Sequence, residues 1–445
     1  MNYLRPERHW LCGETMAHLG ARTWVMAILN LTPDSFFAPS RAQPAALDSV
    51  VERAGATLAA GADILDLGAE STRPGSHPLA PDAEQARLLP ALAAVRRGFP
   101  HALLSADTRH AATARAALDA GADIINDVSG GADPAMLPLL ATASCGVVLM
   151  HCRGEFATMQ HLPALADPLG EVLAGLGEIV ERAAAAGIGA DRVVLDPGFG
   201  FGKNLDENFP LLAGLDRLLA LGRPLLTGLS RKSFLRGVSG SGPEYRLPAS
   251  LAAATAAILA GAHLVRVHDV AATIAASRLA DHLLVTIRRA GTADVEPIAT
   301  LLDANSFARG GTLTGPFPTE RVALWVAGTF PVLIAEQEGQ LRAVLVTSDP
   351  ALPGSRAQAA MLAAYPAPPG AYVYGPVCVA ATARGRGLVA ALYAELQRLL
   401  PGREAILFIR EDNQPSLRAH EPLGLRRVAA FRFEGAAMAV FSSGR

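Results

Sequence analysis

Through the first 290 residues, short apolar runs rich in β-branched side chains alternate with longer Ala- and Leu-rich stretches of helical period. The runs predict eight strands, at 25–29, 64–67, 103–106, 124–126, 146–150, 193–195, 225–228 and 264–267, separated by helices such as 46–60, 111–120, 170–186 and 249–260. The helix-to-strand junctions repeat, reading AGAD at 60–63, AGAD at 120–123 and AGAH at 260–263, where the glycine suits a left-handed helix C-cap. Eight such units in about 265 residues fit an α/β fold of the TIM-type (β/α)8 barrel class, although a doubly wound open sheet would share the alternation.

The polar positions favour the barrel. Nearly every strand is followed at once by a distinctive polar group: Asn30; Glu70 with Thr72 and Arg73; Asp107; Asn126; His151; Asp196; Ser230 with Lys232; and Arg266 with His268. Singly each has a plain alternative, Asp107 or Asn126 as a helix cap, His151 as a core histidine, Arg73 as a solvated loop charge. Together, in a barrel, they would meet at the C-terminal mouth where such folds carry their active sites. Beyond residue 289 the pattern changes to helix, hairpin (332–336 and 341–346 around Glu338, Gly339 and Gln340), Gly/Pro-rich loops at 310–318 and 366–370, then strand, helix, strand. The boundary falls near 288–292, giving a barrel over 1–290 and a smaller α+β domain over 291–445.

Composition narrows the classes. With 445 residues, 51% hydrophobic and 18% charged, the chain is globular and long enough for two or three cores. A formal net charge of −2 offers no broad basic surface, so nucleic acid is not an expected partner. Cys12, Cys145, Cys152 and Cys378 are scattered without a CxxC pair, and the most apolar stretch, 251–267, is too short and interrupted to span a bilayer. A reducing, cytoplasmic setting without membrane contact is expected. Of the 39 basic residues only Lys203 and Lys232 are lysines, which marks two positions where an ammonium serves better than a guanidinium.

Asp107, Asn126, Asp196 and Lys232 suit a flat, nitrogen-rich heterocycle, since a carboxylate can accept two N–H bonds from an amino-pyrimidine edge. Ser230, Arg266, His268 and the Ser71, Thr72, Arg73 cluster suit an anion, and Asn30 could offer an oxygen to Mg2+.

At these residues the first 290 positions resemble dihydropteroate synthases, through ILNLTPDSF at 28–36, GADILDLGAESTRPG at 61–75, DTRHAATARAALDAGADIINDVSG at 107–130, LDPGFGFGK at 195–203, SRKSFLRG at 230–237 and RVHDV at 266–270. The resemblance implies condensation of 6-hydroxymethyl-7,8-dihydropterin diphosphate with 4-aminobenzoate, by ionisation of the diphosphate and capture of the resulting cation by the arylamine. It implies that Asp107, Asn126, Asp196 and Lys232 hold the pterin with Met150 packed near it. Asn30, Arg266 and His268 would bind the diphosphate directly or through Mg2+, with Asn30 the metal ligand. Thr72, Arg73, Phe201 and Ser230 would shape the aminobenzoate site. Asp107, Lys232, Arg266 and His268 would carry the catalysis, in a homodimer. Two segments depart from the family pattern: Phe37, Ala38, Pro39, Ser40 and Arg41 after TPDSF, and Cys152 with Arg153 after the fifth strand. A pterin-dependent methyltransferase and a non-catalytic pterin-binding protein are the alternatives; the TRPG, SRKS and RVHD clusters weigh against the methyltransferase.

The second domain resembles GNAT-type N-acyltransferases, through the strand 373–379, the turn Arg384, Gly385, Arg386, Gly387, then Asn413 and His420 to Leu425. That implies acetyl-CoA as a cosubstrate, held by Val377, Val379, Arg384, Gly385, Arg386, Gly387, Asn413 and His420. Thr382, Val389 and His420 depart from the usual residues there, His420 standing where a tyrosine often protonates the leaving thiolate. The alternative is a degenerate domain serving dimerisation or stability.

Overall fold

The computed structural model describes residues 3–31, 44–70, 78–154, 158–159, 162–240, 242–313, 315–352 and 354–444. The chain divides into two compact units, one of Glu7–Leu283 and one of Met1–Pro6 with Leu284–Arg445.

In chain order the strands of the first part are β1 (Leu4–Pro6), β2 (Arg8–Cys12), β3 (Thr15–Leu19), β4 (Trp24–Asn30), β5 (Ile64–Gly68), β6 (Leu103–Asp107), β7 (Ile124–Asp127), β8 (Gly146–Met150), β9 (Val193–Asp196), β10 (Leu226–Thr227) and β11 (Leu264–Val267). Strands β4 to β11 form one parallel sheet in the order β10-β11-β4-β5-β6-β7-β8-β9. A bridge between Leu195 and Leu225, with Leu195 N donating to Pro224 O at 3.0 Å, joins β9 to the segment entering β10 and rounds the sheet into a barrel. All eight lie where the apolar runs place them, and the helices Pro44–Ala59, Ala111–Asp119, Pro168–Ala185 and Arg246–Leu259 fill the expected intervals.

The repeated junctions are structural staples. Gly61, Gly121 and Gly261 have φ of +102°, +99° and +96°, and the next residue in each case donates back across the helix end: Ala62 to Thr57 O, Ala122 to Ala117 O and Ala262 to Ala257 O, at 3.3, 2.9 and 3.0 Å. The final residue of each repeat then ties neighbouring strands at their entry: Asp63 accepts from Val25 N at 2.8 Å, Asp123 from Leu104 N at 2.9 Å, and His263 Nδ1 from Leu225 N at 3.2 Å. The β2–β3 hairpin plugs this entry end. Trp10, Cys12, Ala17 and Leu19 are fully or almost fully buried against Met26, Ile64, Ile124, Val148, Val194, Leu226 and Leu264, and the Trp10 indole donates to Arg192 O at 2.9 Å. With one end sealed, substrate access falls to the other, where the strands finish in polar residues.

The second unit is built on a separate sheet. Its strands are β1 with β12 (Val285–Arg289), β13 (Leu333–Gln337), β14 (Gln340–Ser348), β15 (Tyr372–Val379), β16 (Ala405–Arg410), β17 (Arg426–Phe433) and β18 (Ala436–Ser442), in the order β1-β12-β13-β14-β15-β16-β18-β17. The expected hairpin is β13–β14, turned by Glu338 and Gly339 at φ of +53° and +69°. The pairs β1–β12 and β15–β16 are parallel and the rest antiparallel. β15 and β16 pair only at Tyr372–Ala405 and Val373–Ile406, then part. Among the described residues no helix is long and apolar enough to cross a membrane.

Candidate active site

Parallel pairing puts the ends of the barrel strands in step. Asn30 faces Gly68, Gly68 faces Asp107, Asp107 faces Asn126, and Met150 faces Asp196, so five of the expected residues share one rim. Their charges are organised by a residue that the sequence reading does not single out. Asp66, wholly buried in the middle of β5, receives Arg266 Nε at 2.6 Å and Asn126 Nδ2 at 3.2 Å. The only hint in the sequence is a carboxylate inside an apolar strand, ILDL, an arrangement that burial makes costly unless the charge is matched.

Arg266 is expected from the sequence to join His268 in the anion-binding set. In the structure its Nη2 also reaches Asp107 Oδ2 at 2.6 Å, so one guanidinium joins Asp66 and Asp107. Burial and the neighbouring Asp66 push the Asp107 carboxyl up from its ordinary range, while Arg266 holds it down; the net direction is up. Gly68 leaves room for this carboxylate, since a Cβ there would lie 3.2 Å from both Asp107 Cβ and Oδ2.

Across the mouth, Asp196 is buried, and that burial pushes its carboxyl up, opposed by the Gly198 N–H that donates to Oδ1 at 2.7 Å and by Lys232. Lys232 is lowered to about 8, chiefly by burial, with Asp196 and Asp107 acting the other way. Its ammonium stands 4.1 Å from the ring centroid of Phe201, a cation–π contact. Phe201 itself packs with Val128, Met150 and Met159. Ser230 meets His268 twice: its Oγ lies 3.1 Å from Nδ1 and accepts from His268 N at 3.3 Å. Between Ser230 and Lys232, Arg231 adopts φ of +58° and forms a fork with Asp269, at 2.7 and 3.1 Å. A bulky residue in this region is strained, and it stands between Ser230, which meets His268, and Lys232, which meets Phe201.

The other lysine is structural. Lys203, 3% exposed, donates to the carbonyls of Gly198, Phe201 and His151 at 2.8, 3.1 and 3.4 Å, tying the glycine-rich loop to the end of β8. Asn204 then caps the helix Leu205–Ala213 reciprocally with Glu207, and Asn208 Oδ1 accepts from Gly200 N at 2.8 Å. His151 is a core histidine, lowered to about 3 by burial and by Lys203. Glu70 forms a fork with Arg109 at 2.9 and 3.0 Å. Cys152 is pushed up to about 11 by burial, which keeps its thiol protonated and unreactive. Thr72, Arg73 and Phe37 to Arg41 lie outside the described residues.

In the second unit, Gly385 and Gly387 have φ of +76° and +66°, and Gly387 leads into the helix Leu388–Leu399. Arg384 donates to Asn305 Oδ1 at 2.7 Å and Arg386 to Gln337 Oε1 at 3.1 Å. Val377 and Val379 lie on β15; Asn413 caps the helix Gln414–His420 through its contact with Ser416 N at 3.2 Å. Val377, Asn413 and His420 line a pocket that opens where β15 and β16 part, and Val379, Gly385 and Gly387 are not among its lining residues.

Against known proteins, a family model described as pterin binding enzyme matches residues 26–268. The dihydropteroate synthase of Escherichia coli K12 is 40% identical over 260 residues, covering 58% of this chain and 91% of that protein. A solved dihydropteroate synthase from Thermus thermophilus in complex with 4-aminobenzoate is 41% identical with a TM-score of 0.55, covering 62% of this chain and 99% of that one. One from Burkholderia cenocepacia complexed with 7,8-dihydropteroate is 40% identical with a TM-score of 0.55, covering 62% and 95%. With more than half of its length matched by the family and the Escherichia coli relative spanned almost end to end, the chain belongs to the pterin binding enzymes, as a transferase of the dihydropteroate synthase type.

Proposed function

We propose that the barrel joins 6-hydroxymethyl-7,8-dihydropterin diphosphate to 4-aminobenzoate, forming 7,8-dihydropteroate and diphosphate. The observation that carries this reading is the rim itself: Asp107 and Asn126 on one side and Asp196 and Lys232 on the other offer acceptors and donors to a flat heterocycle, with Ser230 and His268 set for an anion. Relatives solved with 4-aminobenzoate and with 7,8-dihydropteroate support the substrate pair.

In this reading the C–O bond to the diphosphate breaks first, leaving a cation delocalised over the pterin. Asp107 and Asp196 stabilise that positive charge, and Asn126 and Lys232 fix the ring. The arylamine nitrogen then attacks the exocyclic methylene carbon and loses a proton. Among the described residues no group of three His, Cys, Asp or Glu could hold a metal unaided. Asn30, half-buried at the end of β4, would offer Mg2+ an amide oxygen, the hard donor type that this ion takes. When bound, the metal would offset charge on the departing diphosphate. Incubating the full chain with both substrates and Mg2+ should yield dihydropteroate and free diphosphate; pterin binding without either product would leave only a pterin-binding protein.

A second reading concerns the C-terminal unit. Its positive-φ glycines ahead of a 12-residue helix favour acetyl-CoA as an acyl donor, since backbone N–H groups at a helix start suit a diphosphate. Calorimetry with acetyl-CoA tests it, and absence of binding would favour a degenerate domain.

A further inference from the structure

The sheet of the second unit buries different cores on its two faces. Ala343 and Leu345 of β14 and Leu407 and Ile409 of β16 share one core with Leu392 and Leu396 of the helix Leu388–Leu399. Strand alternation sends their neighbours to the opposite face, where the core divides. Val344 and Val346 pack there with Phe317 and Val322, while Ile406 and Phe408 pack with Met361 and Val373. Val322 belongs to the helix Thr319–Val326 and Met361 to the helix Arg356–Ala364, so two helices cover that face over separate cores. A pocket lies between the two where β15 and β16 part, with Phe317, Arg321 and Trp325 on one side and Gln358 and Phe408 on the other. Counted with its open mouth it holds about 930 Å³, within the roughly 300–1,000 Å³ of small-molecule sites.

The walls narrow what such a pocket holds. The Phe317 and Trp325 rings lie 6.3 Å apart between centroids, and Phe408 meets Phe431 edge to face at 5.7 Å, so each wall carries an aromatic ring held by a second ring. Arg321, four residues before Trp325 on the same helix, lies 5.0 Å from that ring's centroid. This stacking, with a hydrogen bond from Nη1 to Pro316 O at 3.3 Å, orients the planar guanidinium. Arg410 comes from β16 already matched, forking to Asp412 at 3.0 and 2.6 Å. Arg321 forms no ion pair among the described residues, and no Asp or Glu is among the described lining residues. Burial pulls the Arg321 pKa down, as it does for a cation short of a counter-charge. One open guanidinium between aromatic walls asks for one negative charge in a planar group, and a carboxylate offers two oxygens to its fork. A phosphate monoester, close to a dianion at neutral pH, would retain an unmatched charge, and an ammonium would meet like charge.

We infer that this pocket binds a planar aromatic carboxylate, its ring against the aromatic walls and its carboxylate on Arg321. The inference depends on neither the barrel reaction nor the acyl-donor reading.

Calorimetry on the full chain compares naphthalene-2-carboxylate with its neutral amide, its saturated decalin analogue and 2-naphthyl phosphate. The carboxylate should bind about tenfold more tightly than the amide, through its charged hydrogen bonds. It should exceed the saturated acid by about threefold or more, through stacking, and should also exceed the phosphate. Arg321→Gln should abolish the preference for carboxylate over amide and leave the amide's affinity unchanged, a split that mere loosening of the fold would not produce. Arg321→Lys should restore part of the preference, since it keeps the charge without the planar fork. Equal affinity of acid and amide, equal or tighter binding of the saturated acid or the phosphate, or no binding of the carboxylate overturns the inference. So does full carboxylate affinity in Arg321→Gln, which would put the bound molecule elsewhere in the chain.

Discussion

Arg266 reaches the fully buried Asp66 with a 2.6 Å hydrogen bond from Nε, and this contact decides where the guanidinium stands at the mouth of the barrel. Removing the negative charge leaves the guanidinium with Asp107 as its only described ion-pair partner, with Asp196 acting from farther off. Asp66→Asn should lower stability by about 3 kcal/mol, as removal of one member of a buried pair does, and reduce turnover at concentrations where the protein remains folded. Urea denaturation together with initial rates checks both effects; an unchanged midpoint would mean that Asp66 is not the anchor.

Gly68→Ala addresses the room around Asp107. The added methyl would sit 3.2 Å from Asp107 Cβ and Oδ2, so the carboxylate must shift by a few tenths of an ångström. About a tenfold loss of pterin affinity is expected, with stability little altered, measured by calorimetry on the pterin.

Lys232, lowered to about 8, is an ammonium below that pH and neutral above it. If the charged form binds the pterin, affinity should fall roughly tenfold between pH 7 and pH 9. Lys232→Arg stays charged throughout, so its affinity should be weaker at pH 7 but nearly flat with pH. Wild-type affinity in that variant at pH 7 would contradict the role given to the ammonium.

His151 bears on stability. Its folded pKa, about 3, lies below the ordinary 6.5, so the unfolded chain binds more protons between these values. Stability is then full above pH 6.5 and is lost as pH falls through that window, by about 2 kcal/mol at pH 5 from this residue. The comparison is urea unfolding of wild type and His151→Asn at pH 7 and pH 5; the wild type should lose more on acidification.

The barrel is legible because its strands are apolar on both faces and its helices have a strong period, two signals that do not depend on distant contacts. Asp107, Asn126 and Asp196 are legible as polar ends of apolar runs. Asp66 is not, because its place is set by Arg266, 200 positions away in sequence, and nothing local announces the pairing. The strands β1 to β3 escape for a related reason: Arg5, Arg8, His9 and His18 break the apolar alternation, although Arg5 and Arg8 are buried in the folded chain. In the second unit the turn around Gly385 can be read from its glycines, whereas the pocket needs the parting of β15 and β16, a property of two strands and not of either alone.

The first strand pairs with β12, and the whole of Glu7–Leu283 lies between them in sequence. The barrel is therefore an insertion within the edge of the other sheet. On the ribosome, Leu4–Pro6 emerge long before their neighbour exists, and as an unfolded loop the intervening chain would oppose the pairing with its full closure entropy. The pairing of Leu4–Pro6 with Val285–Ile287 is thus the longest-range closure in that sheet, made across the whole length of the barrel sequence.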